Sequence, residues 1–367
     1  MDANTAGSEI VRIQREARFA DTTSEEWAER LVKFIGAQTE VLSDVAVRDV
    51  RQVSTAAGGS NGTLLFHADY ITAEGLQSRD LVLRFLPVKG LFERYDVAAQ
   101  FNLQRALEGT AVPVPPQLWL DEAGAFLERP GYVMAQVRGA GPPMTWMTSG
   151  IIKDASPADR RKMFSSFIQH LATIHAVDWR AAGLEWMEQR AAGSRPMERE
   201  ANWYGDALAW SKMQKYIDML EPVRAWLIAN EPTDVDTVVC HGDANLGNYL
   251  FENAEVTAVV DWEMSFLGAP EAEVCYLMIG DQMIQSDVPP LEGVPDYEAF
   301  KREYEQVSGR KLKHMPYFEL HTLYRVAVIN VLAMAHFPPE ILQSFMPILE
   351  RGPALCIAHA RTLGAAV

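Results

Sequence analysis

The stretch Thr237–Glu263, TVVCHGDANLGNYLFENAEVTAVVDWE, concentrates the chemically informative residues of this chain. It begins with an apolar run, Val238 to Cys240, and enters a polar loop holding His241, Asp243, Asn245 and Asn248. Two further strand-like runs then lead to Asp261, Trp262 and Glu263. Short apolar runs separated by polar residues read as buried strands. The loop and Asp261 therefore fall at strand ends, where side chains from separate segments converge.

The oxygen groups at these positions point to phosphoryl transfer. Magnesium prefers oxygen ligands and binds through one or two protein groups together with nucleotide phosphates, so Asn248 and Asp261 are candidate metal ligands. Asp243 suits a different task, because a carboxylate can orient an acceptor hydroxyl and take its proton as the phosphoryl group moves. His241 reads as structural, bonding backbone or carboxylate rather than acting as the base.

HGDANLGN from His241 to Asn248, followed by DWE from Asp261 to Glu263, resembles the aminoglycoside phosphotransferase and choline kinase-like family. These are relatives of the protein kinases, whose corresponding pattern is HRD, Asn and DFG. The resemblance covers about Val50 to Ala335. It implies an α+β, protein kinase-like two-lobe fold, with a small antiparallel β-rich N-lobe, a large helical C-lobe and the nucleotide between them. It also implies Asp243 as catalytic base, Asn248 and Asp261 as magnesium ligands, and ATP and Mg²⁺ as cofactors, with Glu263 supporting the site.

Toward the N-terminus, Gly58, Gly59, Ser60, Asn61 and Gly62 separate two strand-like runs. Glycines permit close backbone approach to phosphates, and the strand that follows makes this a hairpin rather than the strand-to-helix loop of a dinucleotide fold. Leu81 to Leu86 reads as a strand interrupted by Arg84, which the resemblance assigns to the ATP phosphates. The helix after it carries Gln100 where the family has an ion-pairing Glu. Gln100 can accept a hydrogen bond but brings no charge, so Asp96 is an alternative partner for Arg84. Prolines 113, 115 and 116 end this helix, and YVMAQV from Tyr132 to Val137 reads as the last N-lobe strand and its link. By resemblance, backbone groups of Ala135, Gln136 and Val137 bind adenine, with Met134 bordering the base. The implied organisation is a helical extension over 1–47, a nucleotide-binding lobe over 48–137 and a catalytic, acceptor-binding lobe over 138–367.

Within the last region Met163, Phe167, Leu171 and Ile174 share a helical face. His175 in HLATIHAVDW reads as structural, the charged and poorly periodic Arg180 to Tyr204 region as an insertion or acceptor-facing loop, and Ala207 to Ile228 as helix. Glu273 stands where the family has Asp and is read as a structural acceptor. Ahead of both lobes, Trp27, Leu31, Phe34 and Ile35 form one face of an amphipathic helix expected to pack on a lobe.

Composition narrows the partners. The net charge of -16 over 367 residues disfavours nonspecific nucleic-acid or anionic-membrane binding without opposing local nucleotide binding. Cys240, Cys275 and Cys356 form no metal or redox spacing and read as reduced core thiols. No leader pattern and no membrane-length apolar run is expected, so a cytoplasmic enzyme is the default. A homodimer is compatible with the sequence but nothing in it argues for one.

The function expected is an ATP- and Mg-dependent O-phosphotransferase with a hydroxyl-bearing small-molecule substrate. A nucleotide-binding regulatory pseudokinase is the alternative that Gln100 suggests, and a structural protein retaining the fold is a third. Trp203, Tyr204, Trp210, Tyr276 and Tyr324 favour a partly apolar acceptor, whereas Glu271, Glu273 and Asp281 keep an aminoglycoside O-phosphotransferase in play. A hydroxyacyl thioester of coenzyme A is a further acceptor, its phosphates reached by Arg310, Lys311 and Lys313.

Overall fold

Alternation along the early strands builds the first layer. The computed structural model describes residues 22–53, 62–86, 90–284, 288–336 and 339–367; Gly58, Gly59, Ser60 and Asn61 lie outside them. The described residues fall into two compact units, one running to Arg138 except for Thr110–Val112, the other beginning at Gly139 and including that short segment.

In the first unit, α1 (Ser24–Gly36) is followed by β1 (Ser43–Gln52), β2 (Gly62–Thr72), β3 (Gly75–Phe85), α2 (Val97–Leu107), β4 (Gln117–Asp121) and β5 (Gly131–Ala135). The strands form one antiparallel five-stranded sheet in the order β1-β2-β3-β5-β4. Side chains two apart share a sheet face. Leu64, Phe66, Ala68 and Tyr70 of β2 thus join Leu81, Leu83 and Phe85 of β3 in a core closed by Trp27, Leu31, Phe34 and Ile35 of α1. The amphipathic first helix is part of this sheet's core. Thr23 begins it with a reciprocal cap, its side chain accepting from the Glu26 N–H while Glu26 accepts from the Thr23 N–H.

The other parity of the same strands makes a second, smaller cluster of Val82, Val97, Tyr132 and Met134. Arg84, two residues after Val82, is buried and donates from Nη1 to Thr63 Oγ1 at 2.8 Å. Asp96 is not its partner. The Asp96 carboxylate caps α2 by accepting from the Ala99 N–H at 2.8 Å, which uses the acid to satisfy a helix terminus.

The second unit is largely helical. Its elements are α3 (Gly150–Asp154), α4 (Pro157–His175), α5 (Pro196–Trp210), α6 (Gln214–Ala229), β6 (Val238–Cys240), β7 (Tyr249–Glu252), β8 (Glu255–Val259), β9 (Phe266–Gly268), α7 (Glu271–Val274), α8 (Tyr276–Ile284), α9 (Tyr297–Ser308), α10 (Met315–His336) and α11 (Pro339–Thr362). Met163, Phe167, Leu171 and Ile174 are all buried, as their spacing requires. The stretch expected to be loop up to Tyr204 instead enters a helix at Pro196, whose fixed φ suits the first helical turn. That helix does not run on through Ile228. Lys212 adopts a positive φ of 58° and separates α5 from α6.

α10 is long and apolar enough by composition to cross a membrane, but most of it is buried within this unit and it carries the fully buried Arg325. A small antiparallel sheet unit and a large helical unit together make the expected kinase-like two-lobe fold.

Candidate active site

Two short strand pairs carry the site. β6 pairs with β9, and β7 pairs with β8 as a hairpin. The hairpin closes through Asn253 and Ala254, both at positive φ, the backbone needed for a two-residue turn that matches strand twist. It brings the chain back so that the Val260 N–H donates to the Asn248 carbonyl at 2.9 Å. The residue before Asp261 is thereby fastened to Asn248.

Asp243 and Asn248 are in direct contact. Asn248 Nδ2 donates to Asp243 Oδ2 at 2.8 Å and to the Asp243 carbonyl at 2.9 Å. Two acceptors demand the NH₂ end of the amide, so Oδ1 is the end left over, and it accepts no hydrogen bond from the described residues. Asn245 shapes the loop between them, its side chain accepting from the Gly247 N–H at 2.8 Å. Asp261 sits in the left-handed region at φ 68°, ψ 58°. Such backbones cluster at functional sites, and Asp is among the residues that tolerate them.

Both ring nitrogens of His241 are engaged with backbone. Nδ1 accepts from the Asp243 N–H at 3.2 Å, which leaves the proton on Nε2 to donate to the Val260 carbonyl at 2.8 Å. His241 therefore ties the Asp243 loop to the segment leading into Asp261, and its ring packs on that of Trp262 at 4.6 Å between centroids.

Beneath the loop, Glu273 is fully buried and receives the His241 N–H at 2.7 Å and the Gly242 N–H at 2.6 Å. It also bonds His175 Nε2 at 3.2 Å, while His175 Nδ1 meets the Tyr304 hydroxyl at 2.7 Å. Burial raises the Glu273 carboxyl, but the hydrogen bond and charge of His175 and the Gly242 N–H outweigh it and hold it below the ordinary Glu range. A carboxyl lowered by folding contributes stability near neutral pH and loses it as pH falls through the folded value. Thermal melts at falling pH should therefore show a shallower acid-side loss for Glu273→Gln than for the parent chain; superimposable acid limbs would remove Glu273 from this role.

His175, Cys240 and Glu273 place ligand atoms within 4.8 Å of one another. The two His175 nitrogens and both Glu273 oxygens are already hydrogen-bonded, and a thiol with an imidazole is a soft donor set unsuited to magnesium. Burial pushes the Cys240 thiol well up, keeping it protonated.

Residues not foreseen from the sequence complete the support. Arg325 of α10 donates from Nη2 to the Gly242 carbonyl. Its Nε lies 3.6 Å from Glu200 Oε1, and Glu200 Oε2 lies 3.3 Å from Arg190 Nη1. Arg190 Nη1 in turn donates to the Met264 and Ser265 carbonyls at 2.9 and 2.6 Å. An Arg–Glu–Arg brace, buried at Arg325 and Glu200 and half-buried at Arg190, thus spans from the loop of Asp243 to the turn after Asp261. The one signal in the sequence was a lone Arg inside an apolar helical run.

The expected link residues divide. The Ala135 N–H donates to Pro116 O at 2.9 Å and the Gln136 N–H to Asp80 O at 3.0 Å, whereas the Val137 N–H donates to none of the described residues. Met134 is packed in the smaller cluster of its unit. Among the acceptor-side aromatics, Tyr204 and Tyr324 are completely enclosed, while Trp203 and Trp210 are half-buried. Glu271 is buried and accepts from the Lys313 N–H at 3.1 Å. Arg310 pairs with Asp236, Lys311 with Glu305 and Lys313 with Asp234.

Known proteins share this architecture. The model of the family described as "Phosphotransferase enzyme family" matches residues 66–313. The mouse acyl-CoA dehydrogenase family member 10 is 32% identical over 235 residues, which is 62% of this chain and 20% of that protein. The chain thus matches about a fifth of that relative's length. A candidate aminoglycoside phosphotransferase from Ralstonia eutropha superposes with a TM-score of 0.64 at 22% identity, over 89% of this chain and 97% of that one. A thermostable mutant of aminoglycoside phosphotransferase APH(4)-Ia, in ternary complex with AMP-PNP and hygromycin B, superposes at 0.54 with 16% identity, over 92% and 99%. With the family match spanning more than half of its length, this chain belongs to the phosphotransferase enzyme family of aminoglycoside phosphotransferase-like, kinase-fold proteins.

Proposed function

We propose that the chain is an ATP- and Mg²⁺-dependent O-phosphotransferase that acts on a hydroxyl of a small, partly apolar metabolite. The observation that carries this reading is the Asp243–Asn248 contact, which holds a carboxylate for the acceptor while turning an amide oxygen outward from it. Asp243 orients the hydroxyl and accepts its proton. Asn248 Oδ1 and the Asp261 carboxylate are hard oxygen donors of the kind magnesium takes, and they would hold the ion. Bound magnesium supplies charge neutralisation to the phosphates.

In the first unit, Arg84 is assigned to the nucleotide phosphates, together with the backbone of Gly58, Gly59, Ser60 and Asn61. The adenine donor falls to Val137, because the Ala135 and Gln136 N–H groups are already spent within their own unit. The complex of a fold relative with AMP-PNP supports an adenine nucleotide.

Two features favour a partly apolar acceptor over a polycationic one. Of the three acids that kept the aminoglycoside alternative in play, Glu271 and Glu273 are both buried and accept backbone N–H groups. Relatives named as acyl-CoA dehydrogenase family members carry the matching segment as a minor part of their length, which directs attention to hydroxyacyl thioesters. Against a pseudokinase, all three of Asp243, Asn248 and Asp261 are present.

Calorimetry with ATP and ADP, with and without Mg²⁺, tests the nucleotide reading. A transfer screen over hydroxyacyl-coenzyme A compounds, simple alcohols and aminoglycosides tests the acceptor. Asp261→Asn should weaken binding of the magnesium nucleotide by at least about tenfold, the scale on which even outer-shell changes act on metal sites. Nucleotide binding that ignores magnesium would refute the metal assignment, and a kcat/KM ranking led by aminoglycosides would refute the acceptor class.

A further inference from the structure

Gly242 and Met264 lie in different turns, yet their backbones are in contact, because the Met264 carbonyl fills the space that a Cβ on Gly242 would need. Gly242 immediately precedes Asp243, and Met264 ends the single helical turn that begins after Asp261. Each of the two residues has its carbonyl held by a different arginine. Arg325 Nη2 donates to Gly242, while Arg190 Nη1 donates to Met264 at 2.9 Å and to Ser265 at 2.6 Å.

Both guanidiniums lean on one acid. Glu200 Oε1 lies 3.6 Å from Arg325 Nε, and Glu200 Oε2 lies 3.3 Å from Arg190 Nη1. Gly242, Arg325, Glu200, Arg190 and Met264 therefore close a ring, with the junction of the two turns on one side and Glu200 opposite. The acid is buried, and neither of its oxygens accepts a hydrogen bond from the described residues. It is held by the two charges, each of which would be strongly disfavoured without it. Its mount is firm. Glu200 stands in the first turns of α5, where Glu231 accepts from the Met197 and Glu198 N–H groups at 3.0 and 2.9 Å.

Resting on the assignments of Asp243 as base and Asp261 as metal ligand, we infer that Glu200 is a positioning residue that sets the spacing between them, its two oxygens holding Arg325 on the Asp243 loop and Arg190 on the turn after Asp261. Two groups that act on one phosphoryl transfer are then placed by one rigidly mounted carboxylate. Misplacing reacting groups by about 1 Å costs on the order of a hundredfold in rate.

The first test needs neither metal nor nucleotide. The amide of Asp243 follows the carbonyl that Arg325 holds, and the amide of Ser265 follows one that Arg190 holds, so their ¹H–¹⁵N signals report the two ends of the ring. Arg190→Met directly frees only the Met264 and Ser265 carbonyls, yet the Asp243 signal should shift together with that of Ser265. Both should shift in Glu200→Gln and return toward their parent positions in Glu200→Asp, which keeps the charge. Adding Arg190→Met to Glu200→Gln should move the Asp243 signal no further, since the connection is already cut. A second test uses the rate. In magnesium ATP with water as the acceptor, single-turnover release of phosphate should fall about tenfold or more in Glu200→Gln, measured well below its melting temperature, with Glu200→Asp closer to the parent.

An Asp243 signal that stays in place in both Glu200→Gln and Arg190→Met would overturn the inference. So would a Glu200→Gln that melts lower but keeps the parent rate, the result of a merely structural acid, or an Arg190→Met shift that adds in full to that of Glu200→Gln. If Glu200→Gln does not fold, Arg190→Met and Glu200→Asp decide by the same signals, because Arg190 is only half-buried and Asp retains the charge. Asp243→Asn in the rate assay separates the two levels. A parent rate there fails the base assignment and the positioning role with it, whereas an inactive Asp243→Asn beside unmoved signals in the Glu200 variants fails the positioning role alone.

Discussion

Asp243→Asn is expected to slow phosphoryl transfer by about a thousandfold while leaving magnesium-nucleotide affinity nearly unchanged, the scale of a lost general base. Asn has the size of Asp and still offers an oxygen to Asn248 Nδ2, so the contact that orders the loop survives. What it cannot do is accept a proton. Single-turnover transfer measured beside equilibrium nucleotide binding separates the two quantities. Asp261→Asn should give the opposite pattern, with binding impaired first. Matched losses of affinity in both variants, without a selective defect of the chemical step in Asp243→Asn, would reverse the division of labour.

Gly242→Ala should cost about 3 kcal/mol or more of stability and abolish transfer, because two separate penalties meet at one position. Gly242 has φ +86°, a conformation that L side chains avoid, and an added Cβ would stand 1.9 Å from the backbone oxygen of Met264. That oxygen cannot swing aside as a side chain would. It belongs to the turn following Asp261 and is also held by Arg190. Gly309 is the control, with φ +70° and open space where a Cβ would stand. Gly309→Ala should show the backbone penalty alone, about 1 kcal/mol. Denaturant unfolding compares the two, and equal losses would discard the overlap as the cause.

Much of the chain can be read without coordinates because the information is local. Period-two alternation in β2 and β3 states which residues face α1, and Trp27, Leu31, Phe34 and Ile35 state which side of α1 faces them. His241, Asp243, Asn248 and Asp261 lie within one run of the chain, so a strand, a loop and a hairpin suffice to bring them near one another. The expected positions for the nucleotide link are likewise visible in YVMAQV. Which N–H groups of that link are already occupied is not, since Pro116, just before β4, and Asp80 of β3 reach them from elsewhere in the unit.

The start of α5 was hidden for a related reason. Pro196 and Gly193 look like loop residues, yet proline suits a first helical turn, and Glu198 completes the start by accepting from the Ser194 and Arg195 N–H groups. Glu271 and Glu273 were ambiguous between cleft and core. An acidic residue is exposed by default, and burial depends on whether the fold supplies donors, here the N–H groups of Lys313, His241 and Gly242.

The family pattern, the two-lobe α+β fold and the segment that bears the candidate chemistry are legible in the chain alone, since each rests on neighbours along it. The tertiary structure alone decided what holds that segment. Arg325 reaches Gly242 across 83 positions and Glu273 reaches His241 across 32. In sequence Arg325 is one charge in an apolar helix and Glu200 one acid in a polar stretch. They become a brace because burial removes the water that would otherwise solvate each, leaving every buried charge to find its partner among groups that folding brings together.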